Sequence, residues 1–132
     1  MKQEQNDTII MLKEDVAVLN SLLEKNSQLP EAEIIREKIA KATILDNYNF
    51  PRDVARLNTV LTIRDKVVRQ NFQYALTVPE PGATTYSSDS IFRPLGAALL
   101  GMRTGDELAF STQKGTRYFF VMEMENPVES IY

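Results

Sequence analysis

The feature that most constrains this chain is the run SIFRPLGAALLGMRTGDELAF at residues 90–110. Pro94 lacks the amide that a strand needs, and its fixed backbone angle suits the first turn of a helix. The AALL that follows favours helix, and Gly101 is placed to end that helix in a left-handed conformation. Gly105 marks a turn before LAF resumes extended structure. The run therefore predicts a strand end at residues 90–92, a short apolar helix and a second strand.

The first 50 residues carry two helical patterns separated by a short polar break. Pro30 is placed to open the second helix, and residues 8–25 would make a first helix about 27 Å long at ~1.5 Å per residue. Asp7 or Thr8 is expected to cap the first helix. Apolar residues recur at spacings of three and four, as in helices that pack lengthwise, at Ile9, Leu12, Val16, Leu19 and Leu23 and again at Ala32, Ile35, Ile39 and Ala42. Residues 1–50 are therefore predicted to form an antiparallel helical hairpin, a short coiled coil.

Several side chains lie off this apolar seam. The charged ones are Glu14, Asp15, Glu24 and Lys25, and the apolar ones are Ile10, Val18, Leu22 and Ile34. Apolar residues on a second face predict that part of the hairpin is buried against the rest of the chain or against another copy of it. A weak homo-oligomer is therefore one expectation.

Beyond residue 50 the sequence alternates between strand patterns and turns. Strands are predicted at residues 59–65, 72–78, 108–110 and 116–125, with turns at Gln70–Asn71 and Lys114–Gly115. In the last strand unbroken alternation would put four side chains on one face: Tyr118, Phe120, Met122 and Met124. Residues 126–132 are predicted to be a loose tail. The whole chain is predicted to be α+β, a helical hairpin followed by an antiparallel sheet with one short helix.

Composition excludes several classes of function. The 132 residues contain no Cys and no His, which removes disulfides, thiol nucleophiles, imidazole bases and the usual zinc sites. No cluster of Lys and Arg stands out, so no sequence-specific contact with nucleic acid is expected. No run approaches the ~20 apolar residues that span a bilayer, and no cleavable leader is visible. We expect a cytoplasmic protein without cofactor, metal or membrane partner.

Two segments carry a resemblance to a known family. PLGAALLGMRTGDEL, from Pro94, and PRDVARLNTVLTIRD, residues 51–65, resemble the Gre-type bacterial transcription factors and, more closely, the short-hairpin regulator of nucleoside diphosphate kinase (Rnk) subfamily. The resemblance implies a hairpin at residues 1–50 and a C-terminal domain of FKBP-like fold at residues 51–132. It also implies a partner, RNA polymerase, bound at the rim of its secondary channel.

The tip of the hairpin bears on enzymatic activity. In family members that stimulate transcript cleavage, the resemblance implies two tip acids that hold Mg²⁺ in the polymerase active centre. Set against that Asp-Leu-x-Glu pattern, Gln28 stands at the Asp position and Glu31 at the Glu position. Glu33 is two residues further on, and side chains two apart on a helix point to different faces. Acids in a first helical turn also stabilise the helix dipole without any metal. The chain is therefore not expected to be an enzyme.

The loop before the short helix is the predicted polymerase-binding site. The resemblance implies that Ser90, Phe92, Pro94 and Leu95 meet the rim of the polymerase channel. A partly exposed aromatic beside a rigid proline is a typical anchor of a protein interface. The alternative is that Phe92 is a core residue and Pro94 only forms a turn.

The sequence thus leads to one main hypothesis, with alternatives left open. The main hypothesis is a non-enzymatic transcription regulator that docks near the secondary channel through its C-terminal domain, without stimulating transcript cleavage. The alternatives are a transcript-cleavage factor of the GreA/GreB type, an FKBP-like peptidyl-prolyl isomerase suggested by fold analogy alone, and a self-associating adaptor.

Overall fold

The computed structural model describes residues 9–80 and 85–127. The elements in chain order are β1 (Ile9–Leu12), α1 (Lys13–Lys25), α2 (Pro30–Lys41), β2 (Ala42–Leu45), β3 (Val60–Asp65), β4 (Gln70–Ala75), α3 (Pro94–Leu99), β5 (Glu107–Thr112) and β6 (Gly115–Glu125). None of these helices is long and apolar enough to cross a bilayer. The predicted caps Asp7 and Thr8 and most of the predicted tail lie outside the described residues.

The main sheet is antiparallel and has the strand order β4, β3, β6, β5. With one short helix beside it and a helical hairpin before it, the fold is α+β as predicted. The predicted turn at Gln70–Asn71 is wrong in position, because β4 begins at Gln70 and the chain turns over residues 66–69.

A bulge changes the faces of the last strand. Thr62 pairs with Glu123, whereas the next residue, Ile63, pairs with Val121, so Met122 is the extra residue of a β-bulge. Past the bulge the alternation of side chains is reversed, and Met124 packs on the core side together with Val121. The predicted common face of Tyr118 to Met124 is therefore wrong beyond the bulge.

The central run folds largely as predicted. Pro94 opens α3, and Gly101 follows it with a φ of 88°, in the left-handed region that glycine tolerates. Gly105, with a φ of 93°, turns the chain into β5. The predicted strand end at residues 90–92 is wrong, because only Ser90 makes an isolated bridge, to Thr77, and the chain then turns.

The N-terminal third departs from a simple hairpin. Residues 9–12 form β1, which pairs in parallel with β2. The predicted first helix over residues 8–25 is therefore too long by its first turn. The physical reason is that the segment after α2 returns beside IIML, and two extended apolar segments satisfy each other's backbone groups. The observed α1 has 13 residues, about 20 Å at ~1.5 Å per residue.

The hairpin packs on the sheet rather than standing apart from it. One apolar cluster contains Leu19 and Ile35 from the helices together with Leu61, Ile63 and Val121 from the sheet. The prediction that part of the hairpin is buried against the rest of the chain is confirmed, but through seam residues, since the off-seam Val18 and Ile34 are exposed.

Asp15 connects the first helix of the hairpin to the segment that leads into the sheet. It is buried, although its position off the apolar seam suggested an exposed side chain. Its side chain is buried and accepts hydrogen bonds from Arg56 Nε at 3.1 Å, from Arg56 Nη2 at 2.9 Å and from the amide of Leu57 at 3.1 Å. A buried carboxylate needs such partners, because its charge has lost its water. We call β1, β2 and Asp15 the root of the hairpin.

Candidate protein-docking site

The docking corner, which we define as residues 90–95, rests on a tightly packed support. The carbonyl oxygen of Ser90 accepts hydrogen bonds from the hydroxyl of Tyr74 and from the amide of Arg93, both at 3.1 Å. A Cβ on Gly96 would lie 2.1 Å from that oxygen, so only glycine allows α3 to approach it. Burial, followed by the charge of Asp89, raises the pKa of Tyr74 to about 12. Tyr74 is therefore a neutral donor at physiological pH.

Two of the four predicted binding residues are buried. Ser90 is 1% exposed and Phe92 is 3% exposed, so the expectation of a partly exposed aromatic anchor is wrong. The Phe92 ring packs against the ring of Tyr86, with centroids 5.7 Å apart. The Ser90 hydroxyl accepts the Phe92 amide hydrogen at 3.0 Å, which holds the turn inward. Phe92 thus shapes the corner from within.

The exposed face of the docking corner is made by the next three residues. Arg93 and Pro94 are exposed, and Leu95 is half-buried with its side chain packed against the core cluster. The Arg93 guanidinium donates to the carbonyl oxygens of Tyr86 at 2.7 Å and Ser87 at 3.1 Å. These bonds fix the side chain while leaving its outer surface available. The corner therefore presents a cation beside a rigid apolar edge.

The hairpin tip, residues 26–29, lies beside this corner. The Tyr86 hydroxyl donates to Asn26 Oδ1 at 2.5 Å, and Asn26 Nδ2 donates to the Leu22 carbonyl oxygen at 2.8 Å. Because Tyr86 also contacts Phe92 and Arg93, it links the tip to the docking corner. The structure thus brings together the two sites that the sequence singled out separately.

Between root and tip, the first helix is not closely packed against the neighbouring loop. A groove of about 600 Å³ lies there, with apolar walls that include Val18, Leu22, Val78 and Pro79. The bond between Tyr86 and Asn26 borders this groove. Among the described residues of this loop, Tyr86 makes the side-chain hydrogen bond to the tip.

The acids near the tip are not arranged as a pair. Gln28 is exposed, Glu31 is half-buried in the first turn of α2, and Glu33 forms an exposed ion pair with Arg36 at 3.1 Å. Within residues 9–80 and 85–127, no group of three or more Asp or Glu residues is placed to hold a metal ion. Glu31 and Glu33 are both positioned to stabilise the α2 dipole.

The far end of α3 is held by a lysine of the hairpin. Lys38 Nζ donates to the carbonyl oxygens of Ala97 and Ala98 at 2.8 Å each and of Leu100 at 2.6 Å. Burial lowers the pKa of Lys38 from 10.5 to about 8. At neutral pH the side chain is still mostly the ammonium, which has one N–H for each of the three oxygens.

The sequence reasoning missed Lys38, Tyr86, Asp15 and Arg56 as organising residues. For Lys38 a signal was present, since it lies three residues after Ile35 and beside Ile39 on the apolar side of α2. Tyr86, an aromatic in a polar loop, lies 60 positions from its partner Asn26. Asp15 lies 41 positions from its partner Arg56. No local pattern reveals contacts of that range.

Sequence comparisons find two kinds of relative. The chain is 27% identical over 126 residues to the regulator of nucleoside diphosphate kinase of Escherichia coli K12, and the match covers 93% of each protein. It is 28% identical over 91 residues to the transcription elongation factor GreA of Desulfotalea psychrophila, covering 69% of this chain. The match spans only 56% of the length of that GreA. No protein-family model matches the chain.

The fold comparison agrees with the sequence comparison. A solved structure described as the prokaryotic transcription elongation factor GreA/GreB from Nitrosomonas europaea superimposes with a TM-score of 0.74 at 28% identity. The match covers 89% of this chain and 99% of that one, so it includes both the hairpin and the sheet. In sequence and in fold, the chain is a relative of the Gre-type transcription factors and of the regulator of nucleoside diphosphate kinase.

Proposed function

We propose that this protein is a non-enzymatic transcription regulator that docks on RNA polymerase at the rim of the secondary channel. The observation that carries the proposal is the exposed Arg93–Pro94 edge, held in place by buried groups of Ser90, Gly96 and Tyr74. A stiff corner loses little conformational entropy on binding, as a docking surface requires. The kinship with Gre-type factors supports the identity of the partner.

The chemistry of the docking corner also restricts the kind of partner surface that it can contact. An exposed guanidinium next to proline and leucine side chains fits a surface that combines an apolar ridge with a carboxylate. The proposed contact residues are therefore Arg93, Pro94 and Leu95, whereas Ser90 and Phe92 act by holding the corner from inside.

The tip supports the absence of cleavage stimulation. Octahedral, strongly hydrated Mg²⁺ usually needs more than one carboxylate together with substrate phosphates. Here Gln28 replaces one acid of the pair, and Glu33 is engaged with Arg36. The protein would act by occupying the channel rim and keeping cleavage factors away from it.

Binding is tested by equilibrium titration of the labelled protein with core RNA polymerase. We expect Arg93→Glu to weaken the affinity about tenfold or more, because it reverses the charge of the contact edge. Arg52→Glu is the matched control, since Arg52 is also exposed, and it is expected to stay within about twofold of the wild-type affinity. Absence of wild-type binding at low salt, or equal losses in both variants, would contradict the proposal.

Cleavage is tested on backtracked transcription complexes with Mg²⁺. The protein alone is expected to leave the transcript intact, and in excess it is expected to slow cleavage by an added Gre-type cleavage factor. Transcript cleavage that requires this protein and disappears in Glu31→Gln would instead establish the cleavage-factor alternative.

A further inference from the structure

We propose that Lys38 is a positioning residue for the docking corner, holding α3 from behind so that Pro94 and Leu95 face the partner. The inference rests on the proposed function for its biological meaning. Lys38 belongs to α2 of the hairpin, whereas the corner is 52 or more positions further along the chain. The hairpin would therefore contribute to docking by supporting the contact surface of this protein, and not by inserting into the partner.

The short helix needs support at its C-terminal end. With only six residues, α3 leaves most of its last carbonyl oxygens without a partner inside the helix. Two backbone bonds close this end, one from the Leu100 amide to the Gly96 carbonyl oxygen at 3.2 Å and one from the Met102 amide to the Leu99 carbonyl oxygen at 3.0 Å. The Lys38 ammonium donates hydrogen bonds to three carbonyl oxygens at this end of the helix. Its positive charge is also stabilised by the negative, C-terminal end of the helix dipole. Few isolated helices of this length persist in water.

The other end of α3 is fixed by different groups. Gly96 packs directly against the Ser90 carbonyl oxygen and the hydroxyl of Tyr74. At ~1.5 Å per residue, the helix is only about 9 Å long, so a displacement at Leu100 is transmitted to Pro94. The orientation of the exposed edge thus depends on both contacts, together with the core packing of Ala97 and Leu99.

The desolvation cost of burying the Lys38 ammonium supports a specific role for this residue in holding α3. Burial lowers the pKa of Lys38, which means that the charged form is less favourable here than in water. Lys41, in the last turn of the same helix, is exposed and makes no such contact with the residues that the structure describes. An apolar side chain at position 38 would avoid the cost of burial but could not satisfy the three carbonyl oxygens.

The absence of native Cys allows a test that changes only the ammonium. The Lys38→Cys variant is alkylated while unfolded and then refolded. Bromoethylamine produces an aminoethyl thioether that matches lysine in length and charge, and bromopropane produces the neutral isostere. Lys41→Cys treated in the same two ways is the control. The readouts are affinity for core RNA polymerase and the ¹³C shifts of the carbonyls of Ala97, Ala98 and Leu100.

The expected result is a difference between the two products at position 38 alone. The propyl form should bind polymerase about tenfold more weakly, the aminoethyl form should return to within about twofold of wild type, and the two Lys41 products should be equal. The three carbonyl shifts should follow the same pattern. Equal affinity and equal shifts in both Lys38 products would overturn the proposal.

Failure of the positioning role can be separated from failure of the proposed function. If wild type does not bind polymerase, the docking proposal fails, but the carbonyl shifts and amide hydrogen exchange at residues 97–101 still decide whether Lys38 positions α3. If the propyl form does not refold, Lys38→Gln replaces it, because its amide is uncharged, one atom shorter and has only two N–H donors for three oxygens, so exchange at residues 97–101 should still quicken. A Lys38→Gln protein with wild-type exchange at residues 97–101 would overturn the role.

Discussion

The root and the tip of the hairpin are held to the sheet domain in different ways. At the root, Asp15 is buried and shares three hydrogen bonds with Arg56 and Leu57, and β1 pairs with β2. At the tip, among the residues that the structure describes, Leu29 packs against the core cluster and the Tyr86 hydroxyl donates to Asn26 beside a groove. The root is therefore held by a buried ion pair, whereas the tip is held by apolar packing and a neutral side-chain hydrogen bond.

This difference suggests what the hairpin is for. An arm that reaches into a partner needs a stiff root and a free tip, but here the tip lies against the loop of the docking corner. The second helix also supplies Lys38 to the back of α3. Both observations favour a hairpin that supports the docking corner.

At the root, Asp15→Ala should lower the free energy of unfolding by about 2–3 kcal/mol, because it removes a buried carboxylate that accepts three hydrogen bonds and leaves the buried Leu57 amide unsatisfied. The measurement is urea unfolding followed by circular dichroism. Glu37→Ala is the control, since Glu37 is exposed, lies outside the first turn of α2 and should change stability by less than about 0.5 kcal/mol. Similar small losses in both variants would show that the root is not held by the buried ion pair.

Beneath the docking corner, Gly96→Ala should cost about 1–3 kcal/mol of folding free energy through overpacking against Ser90 and Tyr74. Thermal unfolding measures the loss, and polymerase affinity should fall with it because α3 must shift. Gly105→Ala is an informative comparison. It has space for a Cβ, so its cost should come only from its positive φ.

At the tip, Tyr86→Phe should cost about 1 kcal/mol, the usual value of one side-chain hydrogen bond. Amide hydrogen exchange should quicken at residues 26–29 and stay unchanged in β1 and β2. Tyr48→Phe is the control, since Tyr48 is 97% exposed. If exchange instead quickens throughout the hairpin, the tip and root are a single cooperative unit and the contrast fails.

The smallest effect is expected from the tip acids. Glu31→Gln removes one charge from the first turn of α2 and should change the free energy of unfolding by only about 0.3–1 kcal/mol. Mg²⁺ at millimolar concentration should not alter the melting temperature of either protein. A Mg²⁺-dependent rise in wild type that Glu31→Gln abolishes would reveal a metal site at the tip.

The sheet was predictable from local patterns, because alternation identifies strands and Pro94, Gly101 and Gly105 identify the turns. The root was not, because a spacing of three between Ile9 and Leu12 fits a helix, and only the returning β2 makes that segment a strand.

The local structure around the candidate site was predictable only in part. Pro94 was correctly placed at the exposed start of α3, but Phe92 is covered by Tyr86, a contact between loop residues that no periodicity encodes. Charged residues such as Asp15 and Lys38 look solvent-exposed in a sequence, and only their distant partners give them a structural role.

The central claim is that the Arg93 edge of the docking corner contacts RNA polymerase. The most direct measurement places a photoreactive benzoylphenylalanine at position 93 or, in a second protein, at the exposed position 114, and irradiates each with core polymerase. We predict a covalent adduct with a polymerase subunit from position 93 and none from position 114. An adduct from position 114 alone, under conditions where the complex is formed, would contradict the account.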